Sequence, residues 1–342
     1  ADGDALERVG VGAAQVGAAT VGQPAGARVL RMVPQANLTS IDPIWTTANI
    51  TRNHGFMVYD TLFGLDAEFR ARPQMAEGAQ TEDDGRAVTV SLRPGLKFHD
   101  GEPVRAADCV ASIKRWAARD VFAQVMWRRV DAVEALDDRR FRVRAKRRIP
   151  LLLLALGQTQ FPCFIMPERI AATDPFQQTR EAVGSGPFRF VRDEWNPGQR
   201  AVWARNEAYM PRQEPVDGLA GGRVPKIERI EWTIITDPAT AANAMVTGEQ
   251  DYWEYPLHDL LPLLRRSRDL VVQQRLLDGT YAICRFNHLH PPFDNVGVRR
   301  AVAMAVDQRD YMRAVAGNEK DGWETCEGVF TCGTALANEA GS

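Results

Sequence analysis

The sequence predicts an α/β chain with mixed sheets, on three observations. Short runs alternate apolar and polar residues, apolar residues at helical spacing fall between those runs, and turn pairs such as Asp-Gly and Pro-Gly separate the two. With 342 residues, 45% of them apolar, the chain is long enough for about two domains with substantial cores.

Ordered structure is expected from Arg28, where ARVLRMVP alternates as a strand. NLTSIDPIWTTAN follows as a loop, with Asp42-Pro43 as its turn signal. Phe56, Met57, Tyr59, Leu62 and Phe63 recur near helical spacing and predict a helix from Asn53 to Phe63. A turn at Asp84-Gly85 precedes an alternating strand, Ala87 to Leu92, and Pro94-Gly95 leads into a short strand ending at Phe98. Ala106 to Arg119 is an amphipathic helix with Val110, Ile113 and Ala117 on one face, and Val130 to Ala145 is a hairpin turning at Asp137-Asp138. The longest apolar run, Leu151 to Leu156, reads as a buried strand or helix start.

Beyond GSGPFRFVRDEW, Asn196-Pro197-Gly198 suits a type II turn, because glycine takes the positive φ required there. QRAVWARN and KIERIEWTII are strands, Pro238 to Thr247 a helix, DYWEYP a short strand, HDLLPLLRRS a helix and LVVQQRL a strand. YAICRFNH is the next strand, and Asn295 to Ala316 is one helix with Val298, Val302, Ala305 and Val306 on its apolar face. No internal repeat is visible.

Charge and composition exclude several classes. A net charge of −2 gives no basic excess for phosphate neutralisation, so nucleic acid is not expected as a partner. No apolar run approaches the roughly 18 residues of a membrane helix. Only Lys97, Lys114, Lys146, Lys226 and Lys320 are lysines, a bias that points to a GC-rich bacterial genome. Of five cysteines, Cys326 and Cys332 lie close enough for one local bridge in an oxidising compartment, while Cys109, Cys163 and Cys284 read as lone buried thiols. Residues 1 to 27 are Gly/Ala-rich and expected to stay flexible; opening on ADGD without Met is how a mature, signal-processed chain starts, and equally how a chain artificially trimmed at that point would start. At the other end, GNEKDGWETCEGVFTCGTALANEAGS is turn-rich and reads as a chain cut before its own end.

Nothing in the sequence supports an enzyme. No GxSxG elbow occurs, and Gly184-Ser185-Gly186 is followed by Pro187, which cannot open the required helix. The histidines His54, His99, His258, His288 and His290 are dispersed, with His288 and His290 alternating as a strand edge would. His99-Asp100 resembles an acid/base pair, but Asp100-Gly101 reads as a turn. No phosphate loop or dinucleotide fingerprint is present and no cofactor is expected.

The segment LRPGLKFHDGEPVRAADCVASIKRW, Leu92 to Trp116, resembles the signature region of family 5 extracellular solute-binding proteins, the dipeptide-, oligopeptide- and nickel-type receptors of bacterial ABC importers. VYDTLF (Val58 to Phe63), GSGPFRF (Gly184 to Phe190), DYWEYP (Asp251 to Pro256) and FDNVGVRRAVAMAVDQRDYM (Phe293 to Met312) agree in order. The family has Ser or Thr at the N-cap of the helix after FHDG; Arg105 stands there in this chain, and Asp108 is left to complement the exposed N–H groups.

The resemblance implies a periplasmic-binding-protein-like two-lobe fold with an inserted small domain. Lobe one would take residues 28–51 and 184–280, the insert 52–183, and an incomplete lobe two 281–342, after a tail of 1–27. It implies a periplasmic receptor, its signal peptide removed and monomeric when complete, that closes on peptides or a similar small solute without catalysis and docks on permease subunits in the inner membrane. A solute-sensing or chaperone-like binding protein uncoupled from transport is the alternative. By the family layout, ligand contacts are expected from Trp45, Thr46 and Thr47 in the loop after the first strand, from Trp253, Glu254 and Tyr255 at a strand end, and from Phe286 and Asn287 after the second crossing. Trp45 and Trp253 are expected to be partly exposed; for every one of these aromatics the ordinary alternative is partly buried core.

Overall fold

The structure, a computed structural model, describes residues 28–274, 283–317, 323–326, 328, 332 and 337–338, and the backbone of 14–18. β1 (Ala14–Ala18) lies within the stretch expected to be a flexible tail, and β2 (Val29–Val33) follows. β1 is a strand because it fills a ladder: it pairs antiparallel with a later strand along its whole length and with a second one at Val16 and Gly17.

α1 (Asn49–Val58) starts earlier than expected and ends before the apolar run does, at an extended Tyr59 (φ −111°, ψ 163°). The rest of that run forms β3 (Asp60–Thr61) and β4 (Phe63–Leu65). Tyr59, Leu62 and Phe63 are all buried. A run buried on every side carries no periodicity that separates helix from strand. Next come β5 (Ala71–Pro73), β6 (Ala76–Glu82) and β7 (Ala87–Leu92), the last with the expected bounds. The strand expected to end at Phe98 is only an isolated bridge between Lys97 and Pro103.

α2 (Ala106–Arg119) keeps its expected bounds, and α3 (Val121–Trp127) begins after Asp120, whose carboxylate accepts from the Ala123 N–H at 2.6 Å. β8 (Val130–Ala135) and β9 (Arg140–Ala145) make the expected hairpin. Then follow α4 (Leu152–Leu156), β10 (Phe164–Ile165), α5 (Glu168–Ala171), β11 (Phe188–Phe190), β12 (Arg200–Arg205) and β13 (Arg229–Thr233). Gly198 between β11 and β12 has φ 87°, the conformation for which its turn needs glycine.

α6 (Pro238–Val246), β14 (Tyr252–Trp253), α7 (Leu261–Leu264) and β15 (Leu270–Gln274) continue the chain. The described part of the next expected strand, 283–288, is not one, and its Cys284 is exposed rather than buried. The single helix expected from Asn295 to Ala316 is two, α8 (Val296–Ala305) and α9 (Gln308–Ala316). The break has a local cause: Val306 is extended (φ −85°, ψ 122°), and Asp307 caps α9 by accepting from the Arg309 N–H at 2.8 Å.

The chain divides into two compact units, one of Ala1–Pro24, Arg31–Gln35 and Ile235–Ser342, the other of Ala25–Leu30 and Ala36–Ile234. This division follows a different line from the expected domains. In the first unit β14 runs parallel to β2, with Tyr252 opposite Met32, and antiparallel to β1, which pairs in turn with β15. In the second, β6–β7–β9–β8 form an antiparallel sheet whose inner positions Val90 and Phe141 face each other in register and are buried. β11, β12 and β13 form an antiparallel meander.

A buried ion pair ties the second unit together. Arg115 Nη2 on α2 meets Asp42 Oδ2 at 3.0 Å, with both side chains sealed from solvent. Neither charge is left with one partner. Arg115 Nη1 donates to the Thr173 carbonyl at 2.9 Å and the Asp174 carbonyl at 3.1 Å, and Nη2 donates to the Gln177 carbonyl at 2.9 Å. Asp42 accepts from the N–H groups of Ile44 (3.0 Å), Trp45 (3.2 Å) and Thr179 (2.9 Å). The geometry therefore binds three segments at one point. Asp42→Ala is expected to destabilise the protein by about 3–5 kcal/mol, because it strands a buried guanidinium; a chemical-denaturation midpoint close to that of the unsubstituted protein would contradict this role.

Candidate functional site

Trp45, Thr46 and Thr47 occupy the loop that Asp42 shapes, in the second unit. The Trp45 ring remains 37% exposed. Arg119, at the C-terminal end of α2, donates through Nη2 to the Trp45 carbonyl at 2.9 Å, and its guanidinium carbon lies 5.0 Å from the Trp45 ring centre. The same carbon lies 5.1 Å from the Phe176 ring, so the cation is held between two aromatic faces. Thr46 Oγ1 accepts from the Ala48 N–H at 3.2 Å at the entrance to α1. An exposed indole, two hydroxyls and a stacked cation can bind a solute by contact and hydrogen bonding.

The other five expected residues lie in the first unit. Trp253 is 5% exposed, which corrects the expectation of a partly open ring. It sits in a core with Val33, Ala241, Met245, Leu261 and Leu264, because the inner face of β14 is covered by α6 and α7. Glu254 is buried at the end of β14; its N–H donates to the Val33 carbonyl at 3.0 Å and its Oε2 accepts from the Gln35 N–H at 3.1 Å. Tyr255 is exposed. Phe286 stacks on Phe293 with ring centres 4.7 Å apart, and Asn287 Oδ1 accepts from the Leu289 N–H at 3.1 Å, closing its own turn. His288 and His290 are exposed beside it, outside any strand. Cys326 and Cys332 form a disulfide with Cα atoms 5.6 Å apart, while Cys109 and Cys163 are buried free thiols whose titration burial pushes far up.

The FHDG and GSGPF segments meet each other. The His99 N–H donates to the Gly184 carbonyl at 2.8 Å, and the imidazole answers: Nδ1 accepts from the Gly184 N–H at 3.4 Å and Nε2 bonds the Gly186 carbonyl at 3.1 Å. These partners require a neutral ring protonated at Nε2. Burial, only partly opposed by the Gly186 carbonyl, lowers His99 to about 4. Gly184 cannot be replaced freely, since a Cβ there would stand 2.1 Å from the Val58 carbonyl oxygen. His54 on α1 is also neutral; burial lowers it to about 3, and its Nδ1 accepts from Trp203 Nε1 at 3.2 Å. These histidines are scaffold.

Asp66, Glu68 and Asp217 bring carboxylates together, a cluster the sequence reading missed because two of them are far apart in the chain. Asp66 Oδ2 already accepts from Arg70 Nε at 2.9 Å and Arg72 Nε at 2.8 Å. Although desolvation opposes it, these hydrogen bonds hold the Asp66 carboxyl well below the usual range. Arginine supplies the positive charge that a metal ion would bring.

Comparison with known proteins places this geometry in a family. Residues 70–335 match the family described as bacterial extracellular solute-binding proteins, family 5 Middle. The probable peptide ABC transporter periplasmic-binding protein y4tO of Sinorhizobium fredii is 40% identical over 287 residues, which cover 82% of this chain and 53% of that protein. The glutathione-binding protein GsiB of Pectobacterium atrosepticum is 26% identical over 308 residues, covering 89% and 57%. The chain thus spans about half the length of the curated relatives it matches. Among solved structures, MoaA from A. tumefaciens R10 with mannopinic acid superposes with a TM-score of 0.68 at 24% identity, over 85% of this chain and 57% of that one. A dipeptide-binding protein from Pseudoalteromonas sp. SM9913 with Met-Leu gives 0.68 at 20% identity, over 84% and 59%. The mixed α/β architecture is that of periplasmic binding proteins.

Two outcomes are expected from this geometry. Trp253→Ala should cost about 3–5 kcal/mol of stability, measured by urea unfolding, because it empties a closed core. His99, with its lowered titration, takes up its proton more readily unfolded than folded, so stability falls as pH drops from about 6.5 towards 4. Between pH 7 and 4.5 the unsubstituted protein should lose about 2 kcal/mol more than His99→Gln; equal losses would show that the imidazole is not held neutral.

Proposed function

The chain belongs to the bacterial extracellular solute-binding proteins of family 5, and from that membership we propose that it is the binding portion of a receptor that takes up peptides or a similar small solute and presents it to an ABC importer. The observation that carries this reading is the 40% identity to a peptide-transporter binding protein over 82% of the chain. The names of the relatives support peptidic cargo, and glutathione, bound by the second relative, is itself a modified peptide.

The proposed receptor works in the periplasm after removal of a signal peptide, and the Cys326–Cys332 bridge supports an oxidising compartment. It acts by enclosure rather than catalysis, as a monomer when complete, and its proposed partners are permease subunits in the inner membrane. In the proposed layout 28–51 and 184–280 build lobe one, 52–183 are the inserted domain, and 281–342 belong to lobe two. Trp45, Thr46 and Thr47 offer an exposed ring and hydroxyls on a loop fixed from beneath, which is what a preorganised contact needs. Tyr255, Phe286 and Asn287 remain proposed contacts from the first unit. Trp253 and Glu254 are proposed to act from below, by fixing the strand end on which Tyr255 stands.

Titration calorimetry of the chain against a mixture of di- and oligopeptides tests the proposal. Binding should be measurable, and Trp45→Ala should weaken it at least tenfold without changing the unfolding free energy by more than about 1 kcal/mol. Absence of peptide binding, both here and in material co-purified with the intact receptor and read by mass spectrometry, would overturn it.

A further inference from the structure

We propose that the second unit carries a surface that docks on an anionic lipid bilayer, formed where the end of α3 meets the segment after β9. Three stretches lie side by side there: the Lys146 N–H donates to the Arg129 carbonyl at 2.8 Å, the Ala145 N–H to the Arg86 carbonyl at 2.8 Å, and the Ile149 N–H to the Gly85 carbonyl at 3.2 Å. They bring Arg86, Arg128, Arg129, Lys146, Arg147 and Arg148 to one edge. Among the described residues no carboxylate lies within ion-pair distance of Arg128, Arg129, Arg147 or Arg148, and all four are exposed. The acids of this edge are fewer: Asp83 is held by Arg86 at 2.5 Å, Asp131 stands 3.7 Å from Lys146, and Asp84 lies in the adjoining turn. The edge is therefore cationic on a chain whose net charge is −2.

Exposed apolar side chains adjoin these cations along the chain. On α3, Val121, Phe122 and Val125 are 75%, 39% and 55% exposed, and the same helix runs directly into Arg128 and Arg129. Leu151, 51% exposed, follows Arg147 and Arg148 at the entrance to α4. Water-facing Phe, Val and Leu at single positions need no explanation, but a helical stripe of them ending in unpaired guanidinium groups does. A bilayer interface matches the pair: apolar side chains enter below the headgroups, while long cationic side chains reach the phosphates. Each cation near an anionic surface adds to the attraction, which salt weakens.

The test is co-sedimentation of the whole chain with vesicles. It should bind vesicles containing phosphatidylglycerol at low salt, and binding should fall at least tenfold on pure phosphatidylcholine. Arg147→Glu with Arg148→Glu should lower it at least tenfold, and Val125→Asp should also weaken it, with unfolding midpoints unchanged. Lys97→Glu, an exposed cation on another loop, should leave it intact. No binding to phosphatidylglycerol vesicles, binding indifferent to the double reversal, or co-sedimentation only when an acidic protein is supplied would overturn the proposal. None of these residues belongs to the proposed solute contacts, so peptide calorimetry separates failure here from failure of the receptor reading.

Discussion

The second unit depends on the burial of one charge pair, Asp42 with Arg115. Two ions withdrawn from water are expensive, and their mutual attraction compensates only when further hydrogen bonds take up most of the remaining lone pairs and protons; of the Arg115 nitrogens, Nη1 and Nη2 are partnered and Nε is not. Here the partners are backbone groups from 44–45 and 173–179. Segments that share no sheet and no helix are thereby fixed to α2. The loop carrying Trp45 inherits its shape from this anchor, and Arg119, one turn further along α2, holds the Trp45 carbonyl and ring from the side.

α2 shows the same logic along its length. Asp108, Ser112 and Arg115 form a buried polar seam along an amphipathic helix. Asp108 accepts from the Glu168 N–H at 2.7 Å, Ser112 exchanges hydrogen bonds with Met166 at 2.9 and 3.1 Å, and Arg115 reaches the Thr173 carbonyl at 2.9 Å. Each polar side chain grips main chain, so the facing segment is held by its backbone. Asp108 also accepts from the Arg105 N–H at 2.7 Å, the reciprocal half of a capping box, while the Asp108 N–H that a Ser or Thr cap would take donates to the Arg105 carbonyl at 3.1 Å.

Periodicity was readable wherever one face of an element is buried and the other is wet. Ala87–Leu92, Ala106–Arg119 and the hairpin of β8 and β9 follow from it with little error. It failed at Tyr59 to Phe63, where burial on all sides erases the signal and the strand is decided by pairing with Phe164–Ile165. It failed again at Val306, where aspartate capping outweighed a continuous apolar face. For the candidate site, the sequence located the Trp45 loop but could not say that Trp253 would be covered by α6 and α7, since cover is a property of distant chain. The seam at 108, 112 and 115 was visible as a spacing of polar residues on a helix, yet Val110, Ile113 and Ala117 drew attention to a different face.

The anchor of the Trp45 loop also sets an order of assembly. Asp42 finds Arg115 across 73 positions and the Thr179 N–H across 137, so its carboxylate cannot be satisfied by local chain. Contacts of such long separation bear loop-closure entropy before they return any stabilisation, and they form late. Local pieces such as the β8–β9 hairpin and α2 can form first and wait. The surface that carries Trp45 thus becomes fixed only once the frame behind it has closed, and a chain halted before Thr179 would present that loop without its support.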